Sequence, residues 1–546
     1  MKTYTEEKRI RPDVLTGCVY LAFAFIMVYS IVCYRIYGEN GAFFSALPFS
    51  IYIFAYCALV LAVQKAVYIM VRIRARRSQY LNAETNMHRS MNVFVVLSLL
   101  IGLLFIGISF ITARNLLGSD RGFFQIIIAG AAILFLGPQG VLRGYLQGLG
   151  YTKPIAISDL LIALSTFVSG IIAVVVLYNY GLKVNDLFHV SELSAIYGCT
   201  GMIFGIFVGT IVGFIQIIVS FFLRKKEISE FVKSGAPRYL DNKNDVLSGI
   251  RPLLLLYCAP AFVVFLDQCV YLITTRKNDP ESDYMNSYGI YCGRIIPTIL
   301  LLSILCCIPF IKKWNRVMAR IERDELEGAC ARYKTLMRMF NALVIPVSIF
   351  VFVLSETVMT TIFGKSNSLS ASLMMPGGIV IFFVSFAIFF SWLLIHMGKS
   401  IVLVMDIGIG FAIHVALMIV LCVVLKLGVM GILLSVLLAL ALYDALSFFF
   451  ISKMLKYRQD HLKCVLLPVI SSAVAGLLVF LLNKLLINLI GDILTFIICV
   501  VIFFVSYMLA MIVLRGFSVH ELKNIPFGKF FEGVAARLQQ DRYYEG

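Results

Sequence analysis

Residues 197–223 read YGCTGMIFGIFVGTIVGFIQIIVSFFL, a run without one charged side chain. Coiled as an α-helix at 1.5 Å per residue, the run extends about 40 Å, enough to cross a hydrocarbon core of about 30 Å. Comparable runs recur on both sides of it, at 14–34, 43–63, 91–112, 122–142, 154–178, 252–273, 286–309, 339–363, 372–394, 400–425, 427–452, 464–482 and 493–514. The chain of 546 residues is 60% hydrophobic and 14% charged. A soluble globular protein carries about 25% charged residues. The sequence therefore predicts an all-α polytopic membrane protein with about fourteen transmembrane helices. It excludes an ordinary soluble enzyme and a disordered chain.

Charge orients the helices. With the N-terminus placed in the cytoplasm, 37 of the 47 Lys and Arg fall in inner loops and 9 in outer ones, leaving Arg294 inside a span. That asymmetry puts both termini inside. The net charge of +17 is then an orientation signal and a contact for anionic headgroups; nothing in it points to nucleic acid. The first run, from Val14, lacks a small-residue cleavage site and reads as a retained span. Most of the 13 Cys sit inside apolar runs and no CxxC occurs, so they read as packing residues.

The chain also repeats. Gly118 and Gly364 lie 246 residues apart, Asp159 and Asp406 247, and Gly150 and Gly398 248. Gly198-x-x-Gly201 resembles Gly428-x-x-Gly431 at 230, the shortfall matching a longer outer loop near 179–195. An even number of spans per repeat gives two halves of the same orientation, related by an axis along the membrane normal. The expected division is an N-lobe at 1–223, a basic inner linker at 224–251, a C-lobe at 252–452, two further helices at 464–514 and an inner tail at 515–546. Basic segments at 64–92 and 312–341, with apolar residues at helical spacing (Val71, Ala75; Val317, Ile321), read as amphipathic helices lying on the inner membrane surface.

Polar groups inside spans need a reason, because a charge at mid-membrane costs at least ~2.5–3.5 kcal/mol. Arg294 stands in Tyr288-Gly-Ile-Tyr-Cys-Gly-Arg-Ile-Ile-Pro297. A guanidinium is always charged and grips phosphate through two parallel hydrogen bonds. In a wet cavity it suits an anionic headgroup; paired, for instance with Asp267, it would instead fix two helices. Asp267, Glu356 and Asp444 are candidate ion-coupling sites. Asp159 and Asp406, at equivalent repeat positions, read as structural, and His414 as a packed histidine. The stretch 137–148 combines Pro138 with four glycines; Arg143, Gly144, Gln147 and Gly148 are its candidate gating or packing residues, with Arg143 free to snorkel to inner headgroups. No metal-spaced His pair, nucleotide-binding loop or nucleophile elbow occurs, so no catalytic residue, metal or cofactor is expected.

Arg143-Gly-Tyr145-x-Gln147-Gly148 followed by Pro154-x-Ala156-x-Ser158 resembles the fourth-to-fifth helix signature of the polysaccharide transporter family. That family includes stage V sporulation protein B-like lipid II flippases and belongs to the multidrug/oligosaccharidyl-lipid/polysaccharide exporter (MOP) superfamily. Tyr288-Gly-x-Tyr291-x-x-Arg294 and Arg35-Ile-Tyr-Gly38 resemble its eighth helix and first outer loop. The resemblance implies a two-lobed, alternating-access flippase of the bacterial cytoplasmic membrane. Its cargo would be a polyprenyl-pyrophosphate-linked saccharide, moved from the inner to the outer leaflet. Arg294 falls where such flippases place a cavity arginine, and Arg35 matches a polar group near the outer mouth. The first span has no basic residue, which leaves lipid II and other surface-polysaccharide units both open. H⁺ or Na⁺ are the candidate coupling ions, and polysaccharide assembly enzymes candidate partners. The rival readings are a drug/cation antiporter of the same superfamily, a membrane-embedded transferase and a scaffold.

Overall fold

A computed structural model describes residues 12–236, 245–278, 283–365 and 367–516, together with residue 533. Among the described residues, thirteen helical segments are long and apolar enough to cross a membrane: α1 (Asp13–Arg76), α2 (Tyr80–Gly107), α3 (Phe123–Gly148), α4 (Lys153–Phe188), α5 (Leu193–Ser234), α6 (Ile250–Thr275), α7 (Tyr284–Ile321), α8 (Leu326–Val353), α9 (Ser368–His396), α10 (Ser400–Val424), α11 (Gly428–Leu455), α12 (Leu462–Ile487) and α13 (Asp492–Val513). At 64 residues α1 is too long for one pass, since about 20 suffice. Gly38, at φ 72° and ψ −162°, breaks it; only glycine takes that backbone without strain. The two limbs supply two passes, which restores the fourteen read from the sequence. The outward side chains of α2, among them Val93, Val96, Leu100, Leu103 and Leu104, are exposed. A surface that apolar calls for a lipid cover.

The sequence repeat reappears as repeated backbone. Gly150 and Gly398 both have positive φ, and each turn is closed by the same two bonds: Gly150 N to Gln147 O with Tyr151 N to Leu146 O, and Gly398 N to Ile395 O with Lys399 N to Leu394 O. Ser78 and Asp324, 246 residues apart, both take positive φ with matching bonds back to Ala75 and Arg74, and to Ile321 and Arg320. Ile108 and Leu354, again 246 apart, both leave helical geometry just past the ends of α2 and α8.

The helices sort into two compact units. One holds the described residues up to Ile311 with Leu394–Ala439; the other holds Lys312–Leu393 with those from Leu440 onward. The grouping differs from a division at 223–252: α6, the membrane part of α7 and α10 pack with α1–α5. Glycine makes this possible. A Cβ on Gly289 would lie 2.1 Å from the Glu39 carbonyl, and one on Gly293 2.2 Å from the Tyr34 ring, so α7 rests directly on the turn of α1.

Glycine rows set the closest crossings. Gly140, Gly144 and Gly148 recur every fourth residue along α3 and meet Leu59 O, Gln64 O and Val71 of α1. Gly201, Gly205, Gly209 and Gly213 form a longer row on α5, against Val174, Gly170, Thr166 and Ile162 of α4. Small residues at this spacing let helix backbones approach where hydrophobicity gives no net drive to associate.

The two basic amphipathic segments are corrected. Val71 is fully buried beneath Gly148 rather than set into lipid. In the second unit Trp314, Val317 and Met318 are buried, and the Trp314 ring packs on Phe340, Phe389 and Trp392. Protein covers both apolar faces because the segments continue, or follow closely on, transmembrane helices that hold them against their neighbours. Of the expected linker, 237–244 lie outside the described residues, as does the tail beyond 516 apart from residue 533.

A Gly201→Ala variant sets a Cβ 2.6 Å from the α4 backbone and should lose about 1–3 kcal/mol of stability to overpacking. Gly408→Ala, with open space around it, should gain up to about 1 kcal/mol from helix propensity. Thermal unfolding midpoints in detergent should therefore move in opposite directions; a common direction would remove the glycine row as the determinant.

Candidate functional site

Three buried ionic clusters occupy the first unit. The first joins α1, α3 and α4. Gly150 and Tyr151 turn the chain between α3 and α4, so that Arg143 and Asp159 meet across the turn. Arg143 is 2% exposed. Its Nη2 donates to Asp159 Oδ1 at 2.5 Å, Nη1 to Ser158 Oγ at 3.0 Å and Nε to Gln64 Oε1 at 2.8 Å. Gln64 Nε2 in turn donates to Gln147 Oε1 at 2.7 Å. The guanidinium thus spends each face of its donor fork inside protein. Arg143 does not snorkel: its guanidinium is buried among Gln64, Ser158 and Asp159. Gly144 and Gly148 supply the close approach that brings Gln64 to it.

The second cluster joins α1 to α7. Arg294 lies in a π-helical turn, Tyr291–Ile295, a widened turn often found at functional positions. The residue is 4% exposed. Its Nε donates to Tyr34 Oη at 2.5 Å, its Nη2 to Glu39 Oε1 at 2.9 Å, and its guanidinium sits 5.1 Å from the Tyr34 ring centroid. Tyr288, six residues earlier, packs on Phe43 of α1 and Tyr271 of α6. Two expectations are corrected here. Arg294 does not face open water in this conformation, because the glycine-mediated seat of α7 on α1 closes over it. Its acidic partner is Glu39 rather than Asp267. Glu39 falls outside the apolar windows, which is why a search confined to intramembrane charges missed it.

The third cluster joins α6 to α10. Asp267 Oδ1 lies 2.7 Å from His414 Nε2, and both residues are buried. This agrees with a packed, hydrogen-bonded histidine. Asp406 is buried on α10 at the repeat position of Asp159. Asp444 is buried on α11, with neither carboxylate oxygen bonded among the described residues. Glu356 is not deep in a span: it is exposed in the first turn of the short helix Ser355–Phe363, because the chain breaks at Leu354. Arg35 is exposed while its neighbour Tyr34 is buried under Arg294.

No family model matches the chain, and no curated protein matches it in sequence. Solved structures do match in fold. An inward-facing multidrug resistance MATE family transporter of the MOP superfamily superposes with a TM-score of 0.58 at 13% identity, covering 81% of this chain and 98% of that one. The lipid II flippase MurJ, in an inward closed conformation, gives a TM-score of 0.56 at 12% identity, covering 91% of this chain and 97% of that one. A MOP superfamily transporter from Pyrococcus furiosus, described as having a binding pocket of reversed polarity, gives 0.50 at 14% identity over 82% and 99%. The chain has the MOP transporter fold.

Breaking the Arg143–Asp159 pair from one side strands a buried charge, a loss of about 3–5 kcal/mol. Arg143→Met and Asp159→Leu should each lower the unfolding midpoint sharply, and the double variant should recover most of the loss. Additive losses in the double-mutant cycle would show that the pair is not coupled.

Proposed function

We propose that the protein is a flippase of the bacterial cytoplasmic membrane, with both termini inside. It carries a polyprenyl-pyrophosphate-linked saccharide from the inner to the outer leaflet by alternating access. The observation that carries the reading is the seat of Arg294: a fixed positive charge in a π-turn, held by one carboxylate whose side chain is 31% exposed. The Glu39 contact suits exchange. A pyrophosphate offers the same oxygen acceptors as Glu39, with more negative charge and a bidentate geometry. Movement of α7 off the α1 turn uncovers Arg294 and releases it from Glu39 in one step. The saccharide takes the wet path and the polyprenyl tail stays in lipid. Arg35 contributes positive charge near the outer mouth.

Coverage supports this choice within the fold. The superposition on the flippase extends over a tenth more of the chain than that on the drug transporter, the length of two further helices of about 25 residues. The antiporter reading rests on buried acids available to cations, Asp267 and Asp444.

The test is reconstitution in vesicles with a fluorescent polyprenyl-pyrophosphate disaccharide, whose outer-leaflet fraction is read by a membrane-impermeant quencher. A charge-assisted hydrogen bond is worth about 1.5–3 kcal/mol, so Arg294→Ala should slow translocation by at least about tenfold. Arg294→Lys should fall between. Wild-type rates in Arg294→Ala would remove Arg294 from the site. Drug efflux by vesicles that leave the lipid probe in place would favour the antiporter.

A further inference from the structure

The two repeat halves differ in length at the hairpins α4–α5 and α10–α11. Asp159 and Asp406 are 247 residues apart, but Gly198 and Gly428 only 230. The connections 189–192 and 425–427 are both short, so the difference lies in the helices. α4 and α10 begin at matching positions, 153 and 400, yet α4 runs 36 residues against 25. The excess is about 16 Å of helix at 1.5 Å per residue, more than crossing the hydrocarbon requires. On the orientation set by the charge asymmetry, it stands on the outer side.

The extension is firmly built. Gly181 lets α4 touch α5: a Cβ there would lie 2.6 Å from Ser194 Cα. The Tyr180 and Tyr197 rings meet edge to face at 5.5 Å. Asn185 ties the tip. Its Oδ1 accepts from the Leu193 and Ser194 N–H groups at 3.0 and 3.3 Å. Its Nδ2 donates to Ser191 O and Ser194 Oγ at 3.2 and 2.9 Å. A cavity of about 660 Å³ opens between Arg121, in the turn Asp120–Gly122, and tip residues 185, 186 and 189–192. That volume suits a small-molecule ligand. Arg121, Asp186, His189, Ser191 and Glu192 are all exposed. Arg121 and Glu192 approach only to 3.9 Å, beyond hydrogen-bond length, so both can turn to a ligand.

The lining narrows the ligand class. Asn185 already occupies the first two N–H groups of α5, so a helix terminus is not what the cavity offers an anion. Two carboxylates against one guanidinium also disfavour a second negative charge. Among the described residues no three metal-ligating side chains gather, and an apolar ligand would meet only Val190. What remains interleaves acceptors (Asp186, Glu192), donors (Arg121) and groups that do both (the Ser191 hydroxyl, a neutral His189 ring). A saccharide has the same character. Each hydroxyl donates and accepts, and neighbouring hydroxyls match the two-pronged carboxylate and guanidinium. Phe188, beside His189 in the chain and 65% exposed, adds a ring face for sugar C–H groups.

We propose that this outer cavity is a saccharide-binding site that receives the sugar head of the carrier lipid after translocation. The inference rests on the flippase reading and adds to it a place for the sugar outside the membrane. The shorter α10–α11 hairpin lacks the tip residues, which makes the site a feature of the first half of the repeat.

Two measurements test it. In the first, soluble neutral, N-acetylated and acidic oligosaccharides are titrated calorimetrically against the purified full chain in detergent. Neutral or N-acetylated sugars should bind, and acidic ones more weakly. Asp186→Ala and Glu192→Ala should each weaken binding by at least about tenfold, with the unfolding midpoint kept because both side chains are exposed. These sugars carry no pyrophosphate, so Arg294→Ala should not alter their binding. Absence of binding by every sugar, a preference for acidic ones, or affinity that survives both substitutions overturns the proposal. In the second, the tightest-binding sugar is given a photoactivatable group and crosslinked to the wild-type chain. Peptide mass spectrometry should find the label within 118–124 or 180–195; a label confined elsewhere overturns the proposal. A sugar that binds there while the lipid probe never crosses vesicles counts against the flippase reading and leaves the saccharide site supported. A probe that crosses with no sugar bound at the tip does the reverse.

Discussion

A charge placed in hydrocarbon has no water to fall back on, and the described ionic clusters of the first unit answer that constraint in the same way. Each pairs a nitrogen-bearing side chain with a carboxylate on another helix: Arg143 with Asp159, Arg294 with Glu39, His414 with Asp267. Pairing at 2.5–2.9 Å demands that helices come close, and glycine permits it. Gly144 and Gly148 seat α3 on α1 beside Arg143, and Gly289 and Gly293 seat α7 on α1 beside Arg294. The glycine rows and the ion pairs are one device. The first sets the distance; the second repays the desolvation of charges that the distance allows to meet.

The pass count and the repeat were legible because they rest on local physics. A run of about 20 apolar residues has one economical conformation in a bilayer. A glycine required by positive φ leaves a mark that survives where other residues drift, so Gly118 with Gly364 and Gly150 with Gly398 sit in matching turns. The α5 row Gly201, Gly205, Gly209, Gly213 was equally readable, since four glycines at four-residue spacing announce a helix crossing.

Partnerships were less legible, for a reason that differs from residue to residue. Arg143 and Asp159 stand seven and nine residues from Gly150, which makes them neighbours across the α3–α4 turn. Hairpin geometry would have paired them where snorkelling was expected instead. Glu39 could not be reached that way: it lies 255 residues from Arg294, and the seat of α7 on the α1 turn is tertiary. The same holds for Asp267 and His414, 147 residues apart. Their helices had been read correctly one by one, but which faces meet depends on packing that no single window contains. The amphipathic segments failed for a related reason. An apolar stripe states that it will be covered, and leaves open whether lipid or protein covers it.

The two arginines separate by how exposed their carboxylate partners are. Arg143 has side-chain acceptors on two neighbouring helices and a carboxylate partner whose side chain is only 8% exposed. Letting go would strand a cation and an anion in the interior, at the full cost of a broken buried pair. Arg294 is arranged otherwise. Its carboxylate partner is 31% exposed, so water can take over Glu39 as it leaves, and only the guanidinium needs a replacement. A widened helical turn beneath it gives α7 room to rotate without breaking a regular ladder. The desolvation penalty therefore fixes the first arginine as a rivet. It leaves the second paired with a carboxylate that solvent can reach.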